Sequence, residues 1–206
     1  MTGPIFTIDE KELQMPAITD KFTGEPVLKL QRLGHGTLET VDLARARRFY
    51  EEVLGLEVIQ PSSRSMMIRL GTNHAYAVVE TGKESTMTML AHNGLDVGTV
   101  EEVHVAHQKL LEIKDQWGIK QITEPRHMHG DTSFYFTDPD GNWWEIVAVR
   151  ENGYAADFAD RDRDLTGLHE FDGESGNVNF SHTHDPNFRA RVREVVEAKA
   201  GSESTA

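Results

Sequence analysis

The chain contains no cysteine among its 206 residues. Disulfide bonds and thiolate metal sites are therefore excluded. Long apolar runs are missing as well, so no stretch approaches the length of a membrane-spanning helix. The first residues lack a basic segment followed by an apolar one, and the sequence therefore predicts no signal peptide.

Positive charge is scarce. The chain has 21 lysines and arginines against 34 aspartates and glutamates, which gives a net charge of −13. Such a balance argues against a nucleic-acid partner and against an anionic membrane surface. With no targeting segment in view, we expect a soluble, cytoplasmic protein.

The length and the 38% hydrophobic content allow one compact domain with extensions. Residues 1–26 are interrupted by prolines and glycines and predict an irregular N-terminal arm. Residues 27–150 are regular and predict the folded domain. Residues 151–206 form an acidic C-terminal extension that predicts little structure apart from a helix over about 186–198.

The regular region shows the same pattern twice, over about 27–83 and 86–150. Each half predicts a strand, a helix and three further strands. The first helix begins after Asp42, and the second begins after Thr99, which forms a capping box with Glu102. We therefore expect an α+β fold in which two tandem βαβββ modules form one curved mixed-sheet barrel. The expected strands span residues 28–40, 56–60, 64–70 and 74–80, then 86–97, 119–122, 132–137 and 143–150.

A hairpin is predicted near the end of the second module. Two apolar strands flank residues 138–142, which are a run of turn formers. The second of these strands carries Glu145 among apolar neighbours. A carboxylate in such a strand needs a cation or a hydrogen-bonding partner.

Two histidines hold equivalent places in the repeat. His35 follows Leu33-Gly34, and His92 follows Leu90-Ala91. A lone histidine is more often a packing or surface residue. In a pseudo-symmetric barrel, however, these two would converge with Glu145 on one cavity. Two imidazoles and one carboxylate form a facial triad that leaves metal positions open to substrate and oxidant, so the pattern favours a metal site.

Paired modules with His35, His92 and Glu145 resemble the vicinal oxygen chelate superfamily. That group includes glyoxalase I, bleomycin- and fosfomycin-resistance proteins, methylmalonyl-CoA epimerase and type I extradiol ring-cleavage dioxygenases. The resemblance covers about residues 27–150. Residues 127–145 are most similar to the extradiol dioxygenase signature, although that pattern prefers other residues than proline where Pro125 stands.

The extradiol resemblance implies roles for three further residues. In that family, the corresponding histidine and tyrosine line the catechol site, which implies catalytic roles for His127 and Tyr135. His129 competes with His127, but only His127 has the family's spacing to the tyrosine. Residues 73–78 resemble the segment that carries the family's acid–base histidine, which makes His74 the candidate for that role.

The resemblance implies an iron(II)-dependent extradiol dioxygenase that cleaves the ring of a catecholic substrate with dioxygen, as in aromatic compound catabolism. Mn, Zn, Ni or Co are the alternative metals. Two other functions stay open: an oxygen-independent lyase or isomerase of the glyoxalase type, and a non-catalytic resistance protein that binds a small molecule. The first module lacks an evident counterpart of Glu145, which favours the dioxygenase. A single domain with two extensions also has surface for a homo-oligomer, which we expect.

Overall fold

A computed structural model describes residues 21–71, 73–128, 131–149 and 153–159 of the chain. The chain divides into two compact units: one spans residues 26–152, and the other combines residues 1–25 with 153–206. Most of the N-terminal arm and of the acidic extension lies outside the described residues, including the helix expected over 186–198. In the second unit the structure describes a short helix, Ala155–Ala159. Within the described part of the chain, no helix has both the length and the apolar character needed to cross a bilayer.

The first module follows the predicted order of one strand, a helix and three strands. Asp42 caps the helix, because its Oδ1 accepts hydrogen bonds from the backbone N–H of Ala44 at 2.9 Å and of Arg45 at 3.0 Å. The helix then widens into a π-helical turn, Phe49–Val53. The elements are β1 (His35–Thr40), α1 (Leu43–Arg48), β2 (Glu57–Ser62), β3 (Ser65–Arg69) and β4 (Ala75–Glu80).

The first strand is shorter than expected. The prediction of a strand from residue 28 is wrong for residues 28–34, which precede β1 and are not part of it. Leu30 and Leu33 in this stretch are 81% and 92% exposed. Alternating side chains alone do not make a strand, since a ladder also needs hydrogen bonds from a neighbouring strand.

The second module repeats the order. The capping box is confirmed: Thr99 Oγ1 accepts from the backbone N–H of Glu102 at 3.2 Å, and Glu102 Oε2 accepts from the backbone N–H of Thr99 at 2.9 Å. Gly118 ends the helix with φ +71°. The elements are β5 (Asn93–Val97), α2 (Val100–Trp117), β6 (Arg126–Met128), β7 (Asp131–Thr137) and β8 (Trp143–Ala148).

Two boundaries of the second module differ from the prediction. The strand expected over 119–122 is wrong, because that segment makes only one isolated bridge, between Ile122 and Phe136. The strand that pairs with the outer edge of β7 is β6 instead. The strand expected from residue 86 begins only at Asn93, after a 3₁₀ turn at Met89–Ala91.

The two modules form two sheets with equivalent strand orders, β1-β4-β3-β2 and β5-β8-β7-β6. In each sheet the first and last strands of the module run parallel, and the other pairs are antiparallel. The predicted α+β fold of two βαβββ modules is confirmed. The predicted single barrel is wrong, because the helix-bearing sides of both sheets pack into one shared core. Tyr76 of β4 meets Trp144 of β8 edge to face in that core, with ring centroids 6.0 Å apart.

Residues 138–142, which we call the polar turn, join the second module to the first through buried hydrogen bonds. Asp138 Oδ2 accepts from the hydroxyl of Tyr50 at 2.7 Å. Asp140 Oδ2 accepts from Thr40 Oγ1 at 2.7 Å. Both carboxylates are 1% exposed. Buried polar groups are tolerated when they are hydrogen-bonded in this way, so the turn holds the two modules in register.

The free energy of unfolding depends on pH through the protonation of Asp138. Burial raises the pKa of Asp138, and hydrogen bonds from Tyr50 and Asn142 oppose this only in part. Because the folded-state pKa lies above the unfolded one, the stabilisation is complete below the unfolded pKa and is lost as pH rises through the folded pKa. We expect the stability advantage of the wild type over Asp138→Asn to shrink as the pH rises above about 4, the ordinary pKa of an aspartate. Urea unfolding over a series of rising pH values measures it, and an advantage that grows with pH would contradict the assignment.

Gly141, within the polar turn, has a backbone conformation that other residues rarely adopt. Its φ is +86°, and a Cβ there would lie 3.2 Å from the backbone oxygen of Ser85. We expect Gly141→Ala to destabilise the fold by about 1–3 kcal/mol, measured by urea unfolding. Gly71→Ala is the matched control, because Gly71 has φ +72° but nothing within 4 Å of a Cβ. Equal losses in both variants would show that the contact with Ser85 contributes nothing.

Candidate metal-binding site

Strand alternation gives the second sheet two different faces. Phe134, Phe136, Trp144 and Ile146 belong to the shared core on the side of α2. The opposite side, which we call the Glu145 face, carries the odd-numbered residues of β7 and β8 and the β5 residues that pair with them. These residues are Gly94, Asp96, Asp131, Ser133, Tyr135, Trp143, Glu145 and Val147. Glu145 is only 8% exposed, so its carboxylate requires partners.

His92 is the main partner of Glu145. Its Nε2 lies 3.2 Å from Glu145 Oε2, and its Nδ1 lies 2.7 Å from the backbone oxygen of Met89. A carbonyl oxygen only accepts hydrogen bonds, so Nδ1 carries the hydrogen and donates it. In the neutral ring, Nε2 then presents its lone pair. Metal-binding histidines are typically held by such a bond from the other ring nitrogen to a carbonyl.

The Met89–Ala91 turn makes this geometry possible. The backbone N–H of Ala91 donates to the carbonyl oxygen of Thr88 at 2.9 Å, which closes a tight turn. The turn brings the carbonyl of Met89 back against the imidazole of His92. The side-chain pattern of the sequence does not reveal this contact, because the group that fixes the ring is a backbone carbonyl.

Hydrogen bonds set the charge of the pair. Burial by itself would raise the pKa of Glu145, but hydrogen bonds from His92, Ser133 and Tyr135 outweigh it and hold the pKa below its usual value. The bond to Glu145 raises the pKa of His92 above its ordinary value, against the opposing effect of burial. Glu145 is therefore ionised at neutral pH, as a metal-binding carboxylate must be. Sequence reasoning missed Ser133, although its position two residues before Tyr135 on the same strand places it on the same face.

Tyr135 contacts both members of the pair. Its ring packs edge-on against the imidazole of His92, with centroids 4.8 Å apart, and its side chain hydrogen-bonds Glu145. We expect Tyr135→Phe to raise the pKa of Glu145, because a hydrogen bond to the charged form is lost. Carboxyl ¹³C NMR titration of the metal-free protein measures the change. Tyr76→Phe, on the other sheet, is the matched control, and an unchanged Glu145 pKa in Tyr135→Phe would contradict the contact.

His35 lies on a different surface. Leu38 and Val78 pair in the first sheet and face the shared core. The residues that alternate with them along β1 and β4 therefore face outwards. His35 is one of these outward residues and is exposed. Because the core faces of both sheets are joined, the outward face with His35 and the Glu145 face belong to separate sides of the chain. Among the residues described, no group of three or more histidines and carboxylates is placed to hold a metal ion.

His127 and His74 also lie apart from the His92–Glu145 pair. His127 Nδ1 is 3.0 Å from Thr132 Oγ1, and the ladder places both residues on the α2 side of the sheet. His74 packs edge-on against Tyr76, with centroids 5.1 Å apart, and lines a cleft between the modules. Of the six predicted site residues, the structure thus brings together three: His92, Tyr135 and Glu145.

The Glu145 face supplies two of the three ligands that a facial triad needs. One imidazole, whose Nε2 is bonded to Glu145 and must lose its proton to bind a metal, and one ionised carboxylate supply two donors of the right chemistry for Fe, Mn, Zn, Ni or Co. The third donor of a facial triad does not come from the same face of the described chain. These two residues can therefore hold a metal only with a further ligand from elsewhere.

Comparisons with known proteins bear on the same region. The model of the Glyoxalase/Bleomycin resistance protein/Dioxygenase superfamily matches residues 32–146. A "probable trivalent organoarsenical cleaving enzyme" of Bacillus subtilis (strain 168) is 26% identical over 118 residues, which cover 57% of this chain and 80% of that protein. Among solved structures, a lactoylglutathione lyase from Agrobacterium tumefaciens is 18% identical, with a TM-score of 0.44 over 58% of this chain and 94% of that one. The fosfomycin resistance protein FosX from Mesorhizobium loti is 20% identical, with a TM-score of 0.46 over 60% and 96%.

Proposed function

Because the chain belongs to the Glyoxalase/Bleomycin resistance protein/Dioxygenase superfamily, we propose that it is a metal-dependent enzyme and, more finely, an iron(II) extradiol dioxygenase of a small aromatic diol. The observation that carries the proposal is the His92–Glu145 pair, 3.2 Å apart, with Nδ1 of the histidine bonded to a backbone carbonyl. When a metal displaces the proton between Nε2 and Glu145, this arrangement presents Nε2 and an ionised carboxylate as two adjacent ligands. The signature-like spacing from His127 to Glu145 gives the finer assignment.

The residues of the pair have distinct roles in this proposal. His92 and Glu145 are metal ligands, and Tyr135 and Ser133 hold the carboxylate of Glu145 in its ionised form. His92 and Glu145 would hold iron(II), which would lower the pKa of the catechol hydroxyls and bring substrate and dioxygen together. The Tyr135 hydroxyl lies on the same face and is proposed to hydrogen-bond a substrate oxygen. The catalytic roles of His127 and His74 stay predictions.

We propose that a second copy of the chain supplies the third ligand, His35. The outward face of the first sheet is only partly buried, and Ala75, Ala77 and Val79 give it an apolar surface beside His35. Laid over the Glu145 face of a partner, it would bring an imidazole to His92 and Glu145. Two-fold symmetry would then form two equivalent sites. The exposed leucines of residues 28–34 are further apolar surface that self-association would cover.

The substrate class differs from that in the name of the Bacillus subtilis relative. Trivalent arsenic is a soft centre that thiolates bind best, by the same preference that directs soft metals to cysteine. The 206 residues of this chain contain no cysteine. The proposal therefore takes a substrate that binds through oxygen atoms, which suit iron(II) held by imidazole and carboxylate.

Anaerobic loading with iron(II), followed by a panel of catechols and then dioxygen, tests the proposal. Stoichiometric oxygen uptake with a coloured, ring-opened product is expected, and both are lost in His92→Ala and Glu145→Ala. His104→Ala, on the exposed side of α2, is the matched control and retains activity. Absence of uptake with tight binding of zinc, nickel or manganese would replace the dioxygenase by an oxygen-independent lyase or isomerase. Absence of metal binding would overturn both.

A further inference from the structure

Gly94 is a glycine that neither its backbone conformation nor its packing requires. It lies within β5, where a glycine weakens the strand because it has no side chain to pack. Its φ is not positive, and a Cβ built on it would meet no atom within 4 Å beyond its two chain neighbours. Gly36, in the first strand of the other module, shows the contrast, since a Cβ there would lie 2.6 Å from the ring of Tyr76. A glycine within a strand often marks a place where a ligand approaches the backbone closely.

Gly94 lies next to Glu145 on the Glu145 face. It pairs with Glu145 on one side of β8, and Tyr135 pairs with Glu145 on the other side. The three residues thus form one row across strands that are about 4.8 Å apart. Tyr135 fills its side of the row, because its side chain hydrogen-bonds Glu145 and its ring packs against His92. The side of the row at Gly94 is exposed, so an open space adjoins the carboxylate of Glu145 there.

The space over Gly94 has the size of one flat ring. By strand alternation, the same face carries His92 and Asp96, which lie two residues before and two residues after Gly94. Residues four apart on a strand are separated by about 13 Å, which leaves room for a six-membered ring between these two side chains. A glycine lets the face of a ring approach the backbone more closely than a residue with a side chain does. Because β5 is an edge strand, a ring can also enter from beyond the sheet.

We propose that Gly94 is a specificity-determining residue, whose missing side chain leaves the place in which the aromatic ring of the substrate lies. The inference rests on the proposed function, in which the diol of that ring is directed towards His92 and Glu145. A side chain on residue 94 would occupy the same space as the ring. The size of this residue therefore decides how well the substrate fits, although the residue takes no part in metal binding or in the stability of the sheet.

Gly94→Ala and Gly94→Val test the proposal by filling the space in two steps. Neither substitution is expected to weaken the fold, because the added atoms meet open space and a β-branched residue suits a strand. We therefore expect both variants to unfold at a urea concentration no lower than the wild type and to bind iron(II) as tightly. The affinity of the iron-loaded protein for catechol, measured anaerobically by calorimetry, is expected to fall by about tenfold or more in Gly94→Val and by less in Gly94→Ala.

Gln60→Val is the matched control. It places the same side chain at an exposed position of β2, the edge strand of the other sheet, and is expected to bind catechol like the wild type. Equal catechol affinity of Gly94→Val and the wild type would overturn the proposal. Loss of iron binding or of stability in Gly94→Val would overturn it as well, since the glycine would then have a structural role. A wild type that binds no iron(II), or binds iron(II) but no catechol, would overturn the proposed function and this inference with it.

Discussion

A mixture of two inactive variants, His35→Ala and Glu145→Ala, is expected to regain about a quarter of the wild-type activity. Each variant alone loses a proposed metal ligand from both sites of a two-fold dimer. After subunit exchange, half of the dimers contain one copy of each variant. In such a dimer one site carries both substitutions, and the other carries neither. The expected gain follows from that one intact site, and the catechol-dependent oxygen uptake of the mixture measures it.

The mixture of His92→Ala with Glu145→Ala is the matched control. His92 and Glu145 lie on the same sheet of one copy, 3.2 Å apart. Every site of a mixed dimer therefore contains one of the two substitutions, and activity is expected to stay absent. Activity in both mixtures, or in neither, would contradict the shared site. A wild-type protein that light scattering shows to be monomeric would contradict it as well. If the expected rescue is not seen, iron binding by the separate variants distinguishes a failure of the shared site from a failure of the proposed function.

Asp138→Ala is expected to destabilise the fold by about 3–5 kcal/mol, the largest effect on stability that we foresee. The Asp138 carboxylate accepts side-chain hydrogen bonds from Tyr50 at 2.7 Å, Asn142 at 2.9 Å and Trp144 at 3.3 Å. It also accepts from the backbone N–H groups of Asp140 and Asn142 at 3.0 and 2.9 Å. Removal of the carboxylate leaves these donors buried without an acceptor, which costs more than the hydrogen bonds contribute. Urea unfolding at neutral pH measures the loss.

Two further variants show whether the effect comes from the orphaned donors. Tyr50→Phe removes a single donor, and we expect a smaller loss of about 1–2 kcal/mol. Asp115→Ala removes an exposed carboxylate on α2 and is expected to stay within about 0.5 kcal/mol of the wild type. A loss of less than about 1 kcal/mol in Asp138→Ala would show that water replaces the carboxylate in the turn.

The local elements were predictable because their signals are local. Asp42, Thr99 with Glu102, and Gly118 mark helix ends through contacts within a few residues, and all three are present in the structure. The order of elements along each module, one strand, a helix and three strands, followed from the internal repeat. The strand expected over 119–122 failed because an apolar stretch shows that residues are buried without showing which neighbour they pair with.

The arrangement of the modules was not predictable in the same way. The repeat equivalence of His35 and His92 led us to expect one cavity, since a barrel is one way to combine two such modules. Which sides of two sheets pack together depends on their side-chain fit, for example that of Tyr76 against Trp144. That fit places His35 and Glu145 on separate surfaces of one chain. The sequence thus indicated the residue types of the candidate site and left open which of them meet in one copy.

The polar turn joins the two modules through contacts that do not involve the covalent link between them. Its buried hydrogen bonds to Thr40 and Tyr50 cross from one module to the other, and the shared core extends through both. The connecting residues Gly82 and Lys83, by contrast, are exposed. A chain cut there would become two complementary fragments that recognise each other by shape and by hydrogen bonding. The second module could then be labelled, exchanged or fused to a reporter independently of the first.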